Sequence, residues 1–110
     1  MEDRRHHSRH NAGIQVEVYD LHSGNRLGRV VDLSLDGFML FSEAPLATDS
    51  VWECRLVPAE PVDGITEVRL GADCLWSRPG ADGQHAWAGF HIIDLAEDQA
   101  RALEVVLRLI

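Results

Sequence analysis

The chain has 110 residues, of which 45% are hydrophobic and 25% are charged, values typical of one folded domain rather than of a disordered segment. Its net charge is −8, and because residues 1–10 carry three arginines against two acids, the remainder is an acidic body that disfavours binding to long nucleic acids. No run is apolar enough to span a bilayer or to act as a secretory signal, so we expect a cytoplasmic protein without membrane insertion.

Residues 1–12 are polar and lack periodicity, which predicts a flexible N-terminal arm ahead of a folded domain at residues 13–110. Alternation of apolar and polar residues begins at Ile14 and continues through Val18, as expected of a half-buried strand. A second strand is predicted at about residues 26–33 and a third at 38–41. The connection between these two strands is short enough for a hairpin.

Three further strands are predicted in the second half of the chain, at about residues 51–57, 66–77 and 85–93. From Ala96 the period changes, and apolar residues recur every three or four positions up to Ile110, which predicts an amphipathic helix. Six short strands followed by one helix predict an all-β fold in which an antiparallel sheet carries the helix.

Strand parity assigns several side chains to the core. Cys74 and Trp76 share the parity of the apolar positions Val68 and Leu70, so core packing is the favoured interpretation for both. Cys54 falls on the apolar parity of the fourth strand. Because there are only two cysteines and they lie far apart in the chain, we expect reduced, buried thiols rather than a disulfide framework or a metal site.

The segment DLSLDG at residues 32–37 places three candidate binding groups at the end of the second strand: Asp32, Ser34 and Gly37. An ionised aspartate only accepts hydrogen bonds, which suits the N1–H and amino donors of a guanine, and a serine hydroxyl can donate or accept. A glycine permits a positive φ or a close approach of backbone. Taken alone, the same residues are also those of an ordinary turn, in which Asp and Ser bind local backbone amides.

The arm carries a second pattern, RxxxR, through Arg5 and Arg9. A guanidinium donates two parallel hydrogen bonds to a phosphate or to guanine O6 and N7, and it also stacks on a base. Taken alone, this pattern also fits a solvated basic tail.

Together, the RxxxR arm and the DxSxxG turn resemble the PilZ domain family, small barrels that bind the bacterial second messenger cyclic di-GMP. The later strands and the terminal helix extend the resemblance over nearly the whole chain. It implies a six-stranded antiparallel PilZ-like β-barrel with a C-terminal α-helix. It also implies that Arg5 and Arg9 bind the ligand together with Asp32, Ser34 and Gly37.

Two further arginines are candidate ligand contacts on the same resemblance. An arginine immediately before the RxxxR pattern, here Arg4, is associated in PilZ domains with binding a stacked pair of cyclic di-GMP molecules. Polar residues beyond the tryptophan of the fifth strand can line the ligand surface in that family, and here the candidate is Arg78.

The implied function is a non-catalytic bacterial receptor that binds cyclic di-GMP, needs no cofactor and relays the signal to a partner protein. The alternative is a protein-interaction adaptor of PilZ-like fold that does not bind nucleotide. One departure from the family bears on this choice, because residues 6–8 between the two arginines are more polar than those often found there. A third possibility, a binder of single-stranded nucleic acid, is disfavoured by the acidic body; its stacking platforms would be Trp52, Trp76 and Trp87.

Neither catalysis nor metal binding is predicted. Ser34, Asp32 and the distant His91 could be drawn as a triad, but no nucleophile elbow or oxyanion signature accompanies them. The histidines of the arm have loose spacing and no completing cysteine or acid, so they do not favour a metal site: His6, His7 and His10.

Overall fold

The computed structural model of the chain describes residues 14–109, which form six β-strands followed by one α-helix. The strands are β1 (Val16–Asp20), β2 (Arg26–Leu33), β3 (Gly37–Ser42), β4 (Val51–Pro58), β5 (Val68–Pro79) and β6 (Ala86–Asp94), and the helix is α1 (Glu97–Leu109). Every strand predicted from the alternation of apolar residues is present, and so is the predicted helix.

The strands close into one antiparallel barrel in the order β1-β2-β3-β6-β5-β4. Closure comes from the pairing of β1 with β4, in which Val18 lies opposite Leu56. The predicted hairpin joins β2 to β3, with Leu33 opposite Phe38. The six-stranded antiparallel barrel with a C-terminal helix that the resemblance implied is therefore confirmed.

Alternate residues of each strand point into the barrel and form its core. Val18, Leu40 and Leu56 are among the most deeply buried side chains. Cys54 and Cys74 are fully buried and unbridged, as predicted. Burial raises the pKa of the Cys54 thiol to about 12.

Helix α1 packs beside β5. Its buried residues are Leu103 and Val106, so its apolar stripe faces the barrel as the period of the sequence predicts. The side-chain oxygen of Gln99 accepts a hydrogen bond from the backbone N–H of Arg69 at 2.7 Å, which ties the first turn of the helix to the start of β5. Within residues 14–109, no helix is long and apolar enough to cross a membrane.

Four β-bulges interrupt the barrel, and each carries one extra apolar residue: Leu27 and Val31 in β2, Leu75 in β5 and Ile93 in β6. Leu27 is buried, whereas the other three are about half exposed. A bulge places two residues of one strand opposite one residue of its partner, so the side chains beyond it change face relative to an unbroken strand.

The bulge at Leu75 overturns the predicted core position of Trp76. Cys74 pairs with Phe90 and points into the core, whereas Trp76 pairs with Gly89 on the outer face. The prediction assumed an unbroken alternation, and one extra residue reverses the parity of everything after it. Trp76 is therefore a half-exposed residue of the barrel surface.

Candidate functional site

Strands β2, β3, β6 and β5 present an outer face to solvent, and their register arranges its residues in rows. Asp32 lies opposite Met39, Met39 opposite Gly89, and Gly89 opposite Trp76. We call these four residues the Asp32 row. Because residues paired directly across strands lie on the same face of a sheet, the predicted site residue Asp32 shares a surface with Trp76.

A second row lies beside the first and contains Arg29, Phe41, Trp87 and Arg78, paired in that order. We call these residues the arginine row. On β3, β6 and β5 its members are two residues from those of the Asp32 row, so the rows are neighbours. The predicted contact Arg78 thus lies on the same face as Asp32, separated from it by three interstrand spacings, about 14 Å, across the sheet and by one row, about 7 Å, along the strands.

The turn between β2 and β3 uses the Ser34 hydroxyl to hold its own backbone. Ser34 Oγ accepts hydrogen bonds from the N–H groups of Asp36 at 3.2 Å and Gly37 at 3.3 Å, and it donates to the Gly37 carbonyl at 3.3 Å. The Ser34 N–H donates to the same carbonyl at 2.9 Å. The sequence offered a ligand contact or a turn as the role of Ser34. These hydrogen bonds are those of a turn, and they fix the loop beside Asp32.

Strand packing requires a glycine at position 37. Gly37 has no left-handed φ, so conformational freedom is not the reason. A β-carbon there would lie 2.2 Å from the carbonyl oxygen of Phe90 on β6. The close backbone approach that the sequence offered as one explanation is therefore the correct one, and it sets Gly37 opposite His91.

The side chain of Asp32 is not engaged by the part of the chain that the structure describes. It is exposed at the end of β2, and the hydrogen bonds and ion pairs among residues 14–109 do not engage its carboxylate. The carboxylates of Asp20 and Asp82, by contrast, accept bonds from the backbone of their own turns. An exposed acceptor with no local partner is what a donor-rich ligand edge requires.

Trp76 and Arg78 form a stacked pair at the β5 side of the face. The guanidinium carbon of Arg78 lies 5.2 Å from the centroid of the Trp76 ring. Gly89 leaves the space that the indole occupies, since a β-carbon on this glycine would lie 2.2 Å from Trp76 Nε1. Arg78 forms no ion pair with the part of the chain that the structure describes, so its charge is available to an anion or a base edge.

Arg29 belongs to the same face and was not selected from the sequence. Its guanidinium carbon lies 5.8 Å from the centroid of the Phe41 ring, and it has no carboxylate partner among residues 14–109. It precedes Asp32 by three residues, so only the bulge at Val31 brings the two to one face, and strand parity alone could not find it. Four other arginines do pair with glutamates: Arg26, Arg55, Arg69 and Arg101.

The arginines predicted in the arm lie outside the described residues: Arg4, Arg5 and Arg9. Strand β1 runs antiparallel to β2 with Glu17 opposite Arg29, so the described chain before Glu17 runs back in the direction of the β2 end that carries Asp32.

The remaining alternatives find little support in the described residues. Within residues 14–109, no group of three or more potential metal ligands occurs, and no hydrogen bond joins Asp32, Ser34 or His91 to one another. The three histidines of the arm lie outside these residues.

The three tryptophans do not form one stacking surface. Trp52 lies on β4, packs against the core and donates from Nε1 to the Ser50 hydroxyl at 2.8 Å. Trp76 and Trp87 lie on the outer face, in different rows.

Comparison with known structures agrees with the barrel. MotI, an inhibitor of motility from Bacillus subtilis, aligns with a TM-score of 0.65 and 14% identity, over 97% of this chain and 51% of that one. A tetrameric PilZ domain from Xanthomonas campestris aligns with a TM-score of 0.53 and 28% identity, over 78% and 47%. The PilZ domain of YcgR from Escherichia coli, with c-di-GMP, aligns with a TM-score of 0.57 and 13% identity, over 99% and 86%.

The chain thus spans about half the length of the first two of these structures. No curated protein matches it. The comparisons indicate no catalytic family, and PilZ domains are in general receptor or adaptor domains. The model of the PilZ domain matches residues 3–108, and because that match covers nearly every residue and the barrel agrees with it, this chain belongs to the PilZ domain family.

Proposed function

We propose that this chain is a non-catalytic receptor that binds cyclic di-GMP and passes the signal to a partner protein in the bacterial cytoplasm. The observation that carries the proposal is the carboxylate of Asp32, which is exposed, unengaged within residues 14–109, and placed at the end of β2 toward which the described chain before Glu17 runs. Membership of a family known for cyclic di-GMP receptors supports it, and so does the YcgR domain of the same fold, whose structure is described with c-di-GMP.

The chemistry divides between the barrel and the arm. Asp32 accepts hydrogen bonds from N1–H and the amino group of one guanine, because an ionised carboxylate is an acceptor only. Arg5 and Arg9 supply the complementary donors, to a phosphate or to guanine O6 and N7. Ser34 holds the turn that presents Asp32, and Gly37 lets β3 pack closely against β6 beside that turn.

The length of the arm is sufficient for this arrangement. Arg9 precedes Ile14 by five residues and Arg5 precedes it by nine, so their reach is at most about 18 Å and 32 Å. The outer face from β2 to β5 is about 14 Å wide. Both arginines can therefore meet a ligand held at Asp32, and we assign further contacts to Arg4 and to Arg78 at the far side of the face.

Calorimetric titration with cyclic di-GMP, and with GTP as the control nucleotide, tests the proposal. We expect the wild type to bind cyclic di-GMP and not GTP. Asp32→Ala should weaken binding roughly ten- to hundredfold, because a hydrogen bond to a charged group contributes about 1.5–3 kcal/mol. Asp36→Ala is the matched control, since Asp36 is an exposed carboxylate of the same turn, and it should retain the wild-type affinity.

The arm is tested separately with Arg9→Ala, for which we expect a loss similar to that of Asp32→Ala. If both variants are folded by circular dichroism and titrate like the wild type, the assignment of Asp32 and Arg9 as ligand contacts is wrong.

One observation favours the second candidate function, a protein-interaction adaptor that does not bind nucleotide. Val51 pairs with Asp73, and the extra residues Leu75 and Ile93 lie on the adjoining stretches of β5 and β6, so three exposed apolar side chains occupy one region of the barrel surface. Such a patch is typical of a contact with another protein. It would also serve a receptor as the surface that meets its partner.

A thermal shift separates the two candidate functions. A ligand that binds only the native state raises the melting temperature, so a receptor should be stabilised by cyclic di-GMP and not by GTP. No stabilisation, together with no heat of binding for the wild type, would leave the adaptor as the function.

A further inference from the structure

The outer surface contains a cavity of about 270 Å³ beside the proposed cyclic di-GMP site. It extends over β1, β2 and β3 and reaches the chain just before β6. Gln15, which leads back to the arm, is part of its lining. The side chains that give it chemical character are Glu17, Arg26, Arg29, Phe41, Glu43 and His85.

The cavity is lined by two arginines and two glutamates, and the two arginines differ in whether they form ion pairs. Arg26 pairs with both Glu17 and Glu43. Arg29 lies opposite Glu17 on the neighbouring strand, yet it has no ion pair within residues 14–109 because Glu17 is turned to Arg26. Two carboxylates and two guanidiniums give no net charge, so the cavity does not favour a phosphate. It favours a neutral group that both donates and accepts hydrogen bonds.

The walls of the cavity favour a planar group. The rings of Phe41 and His85 are stacked, with centroids 4.9 Å apart and planes 18° apart, and the Arg29 guanidinium lies 5.8 Å from the Phe41 centroid. The volume is slightly below that of pockets for drug-sized ligands, which start at about 300 Å³, and it suits a single heterocycle. Guanine matches both requirements, since arginine pairs with its O6 and N7 and a carboxylate accepts from its N1–H and amino group.

The position of the cavity agrees with one ligand spanning both sites. Arg29 and Asp32 lie on the same face of β2 and are separated by at most about 10 Å along the strand. The two guanines of cyclic di-GMP are joined through one ribose–phosphate ring, so a second base must lie near the first.

We infer that this cavity binds the second guanine of cyclic di-GMP, with Arg29 recognising its O6 and N7 edge and Phe41 positioning the guanidinium. The inference rests on the proposed function, because it needs the first guanine at Asp32. It makes Arg29 a specificity-determining residue outside both sequence motifs.

The test uses two probes, cyclic di-GMP and the hybrid 3′,3′-cyclic GMP–AMP, titrated calorimetrically into the full chain. The hybrid has one guanine for Asp32 and offers the cavity an adenine. Adenine presents an amino donor where guanine presents O6, so Arg29 loses one of its two bonds. We expect the wild type to bind cyclic di-GMP roughly tenfold more tightly than the hybrid.

Arg29→Ala should weaken cyclic di-GMP binding roughly tenfold and reduce the preference over the hybrid to less than about twofold. Arg108→Ala is the matched control. Arg108 is an exposed arginine of α1 that, like Arg29, has no ion pair among residues 14–109. It should leave both affinities and the preference unchanged.

Two results overturn the inference alone: an Arg29→Ala variant that keeps the full preference for cyclic di-GMP, or one that loses affinity equally for both probes, as a general charge effect would produce. A wild type that binds neither probe overturns the proposed function itself, and the inference with it. The two failures can be told apart, because failure of the proposed function is already seen with the wild type, whereas failure of the inference is seen only with Arg29→Ala.

Discussion

The indole of Trp76 occupies the space above Gly89, so closely that a β-carbon on this glycine would lie 2.2 Å from Trp76 Nε1. The glycine thereby determines where the indole lies, and Arg78 stacks on that indole. Arg78, which is proposed to meet the ligand at the β5 side of the face, is thus positioned through Trp76 by a residue with no side chain.

Gly89→Ala should displace Trp76 and leave the barrel intact. The clash is with a half-buried surface side chain rather than with backbone, so we expect the free energy of unfolding to stay within about 0.5 kcal/mol of the wild type. Affinity for cyclic di-GMP should fall, because Trp76 and Arg78 lose their positions. Calorimetry and urea denaturation on the same sample measure both quantities. Unchanged affinity would show that this side of the face does not meet the ligand.

Gly37→Ala should have the opposite effect, because the neighbour of the added β-carbon is backbone. The carbonyl oxygen of Phe90, at 2.2 Å, cannot move without separating β3 from β6. We expect a loss of about 1–3 kcal/mol in the free energy of unfolding, seen as a fall of at least about 4 °C in the melting temperature. A variant that melts like the wild type would contradict the packing described here. If Gly37→Ala also binds cyclic di-GMP less tightly, the loss of affinity must be compared with the loss in the free energy of unfolding.

The two cysteines should be unreactive in the folded protein. Cys54 and Cys74 are fully buried, and burial raises the pKa of both thiols, that of Cys54 to about 12, so little thiolate is present at neutral pH. We expect no reaction with Ellman's reagent under native conditions and two equivalents after unfolding in urea. Rapid native labelling would show that the barrel opens locally between β4 and β5.

Acid should weaken the turn between β5 and β6 through Asp82. Its carboxylate accepts hydrogen bonds at 2.9 Å from the N–H groups of Gln84 and His85, and it lies 2.6 Å from His85 Nδ1. The bonds from the backbone of His85 and Gln84, followed by that from the His85 ring, lower the pKa of Asp82 from 3.8 to about 2.

A carboxyl group with a lower pKa in the folded state stabilises the fold above its unfolded pKa, and this contribution is lost as the pH falls through the folded pKa. Between about pH 4 and pH 2 the wild type should therefore lose more stability than Asp82→Asn, whose side chain does not titrate. Urea denaturation at pH 6, pH 4 and pH 2.5 measures the difference. Equal losses for both proteins would show that Asp82 has no such role.

The strands could be predicted from the sequence because each one buries alternate side chains in a single core, and burial of this kind requires a period of two. The helix could be predicted for the same reason, since Leu103 and Val106 continue a helical period. The bulges could not be predicted, because one extra residue leaves no mark in composition or spacing. Trp76 was misplaced for that reason.

The candidate site also contains one residue that the sequence could predict and one that it could not. Asp32 was selected from a local motif, and the structure leaves it exposed and unengaged among the described residues. Arg29 lies on the same face, but its nearness to Asp32 depends on the bulge at Val31, and its lack of a carboxylate partner depends on Glu17 turning to Arg26. Whether Glu17 pairs with Arg26 or with Arg29 depends on three-dimensional contacts, and a sequence motif does not contain that information.

The pairing of β1 with β4 has a consequence for how this protein can meet others. In an open sheet, the outermost strand offers unsatisfied amide and carbonyl groups to which a foreign peptide can add as a further strand. Here each described strand has two neighbours, so none of them is an outermost strand that a peptide could extend along its whole length. Recognition at the barrel is therefore expected to depend on surface side chains, and single substitutions there should be able to weaken it strongly.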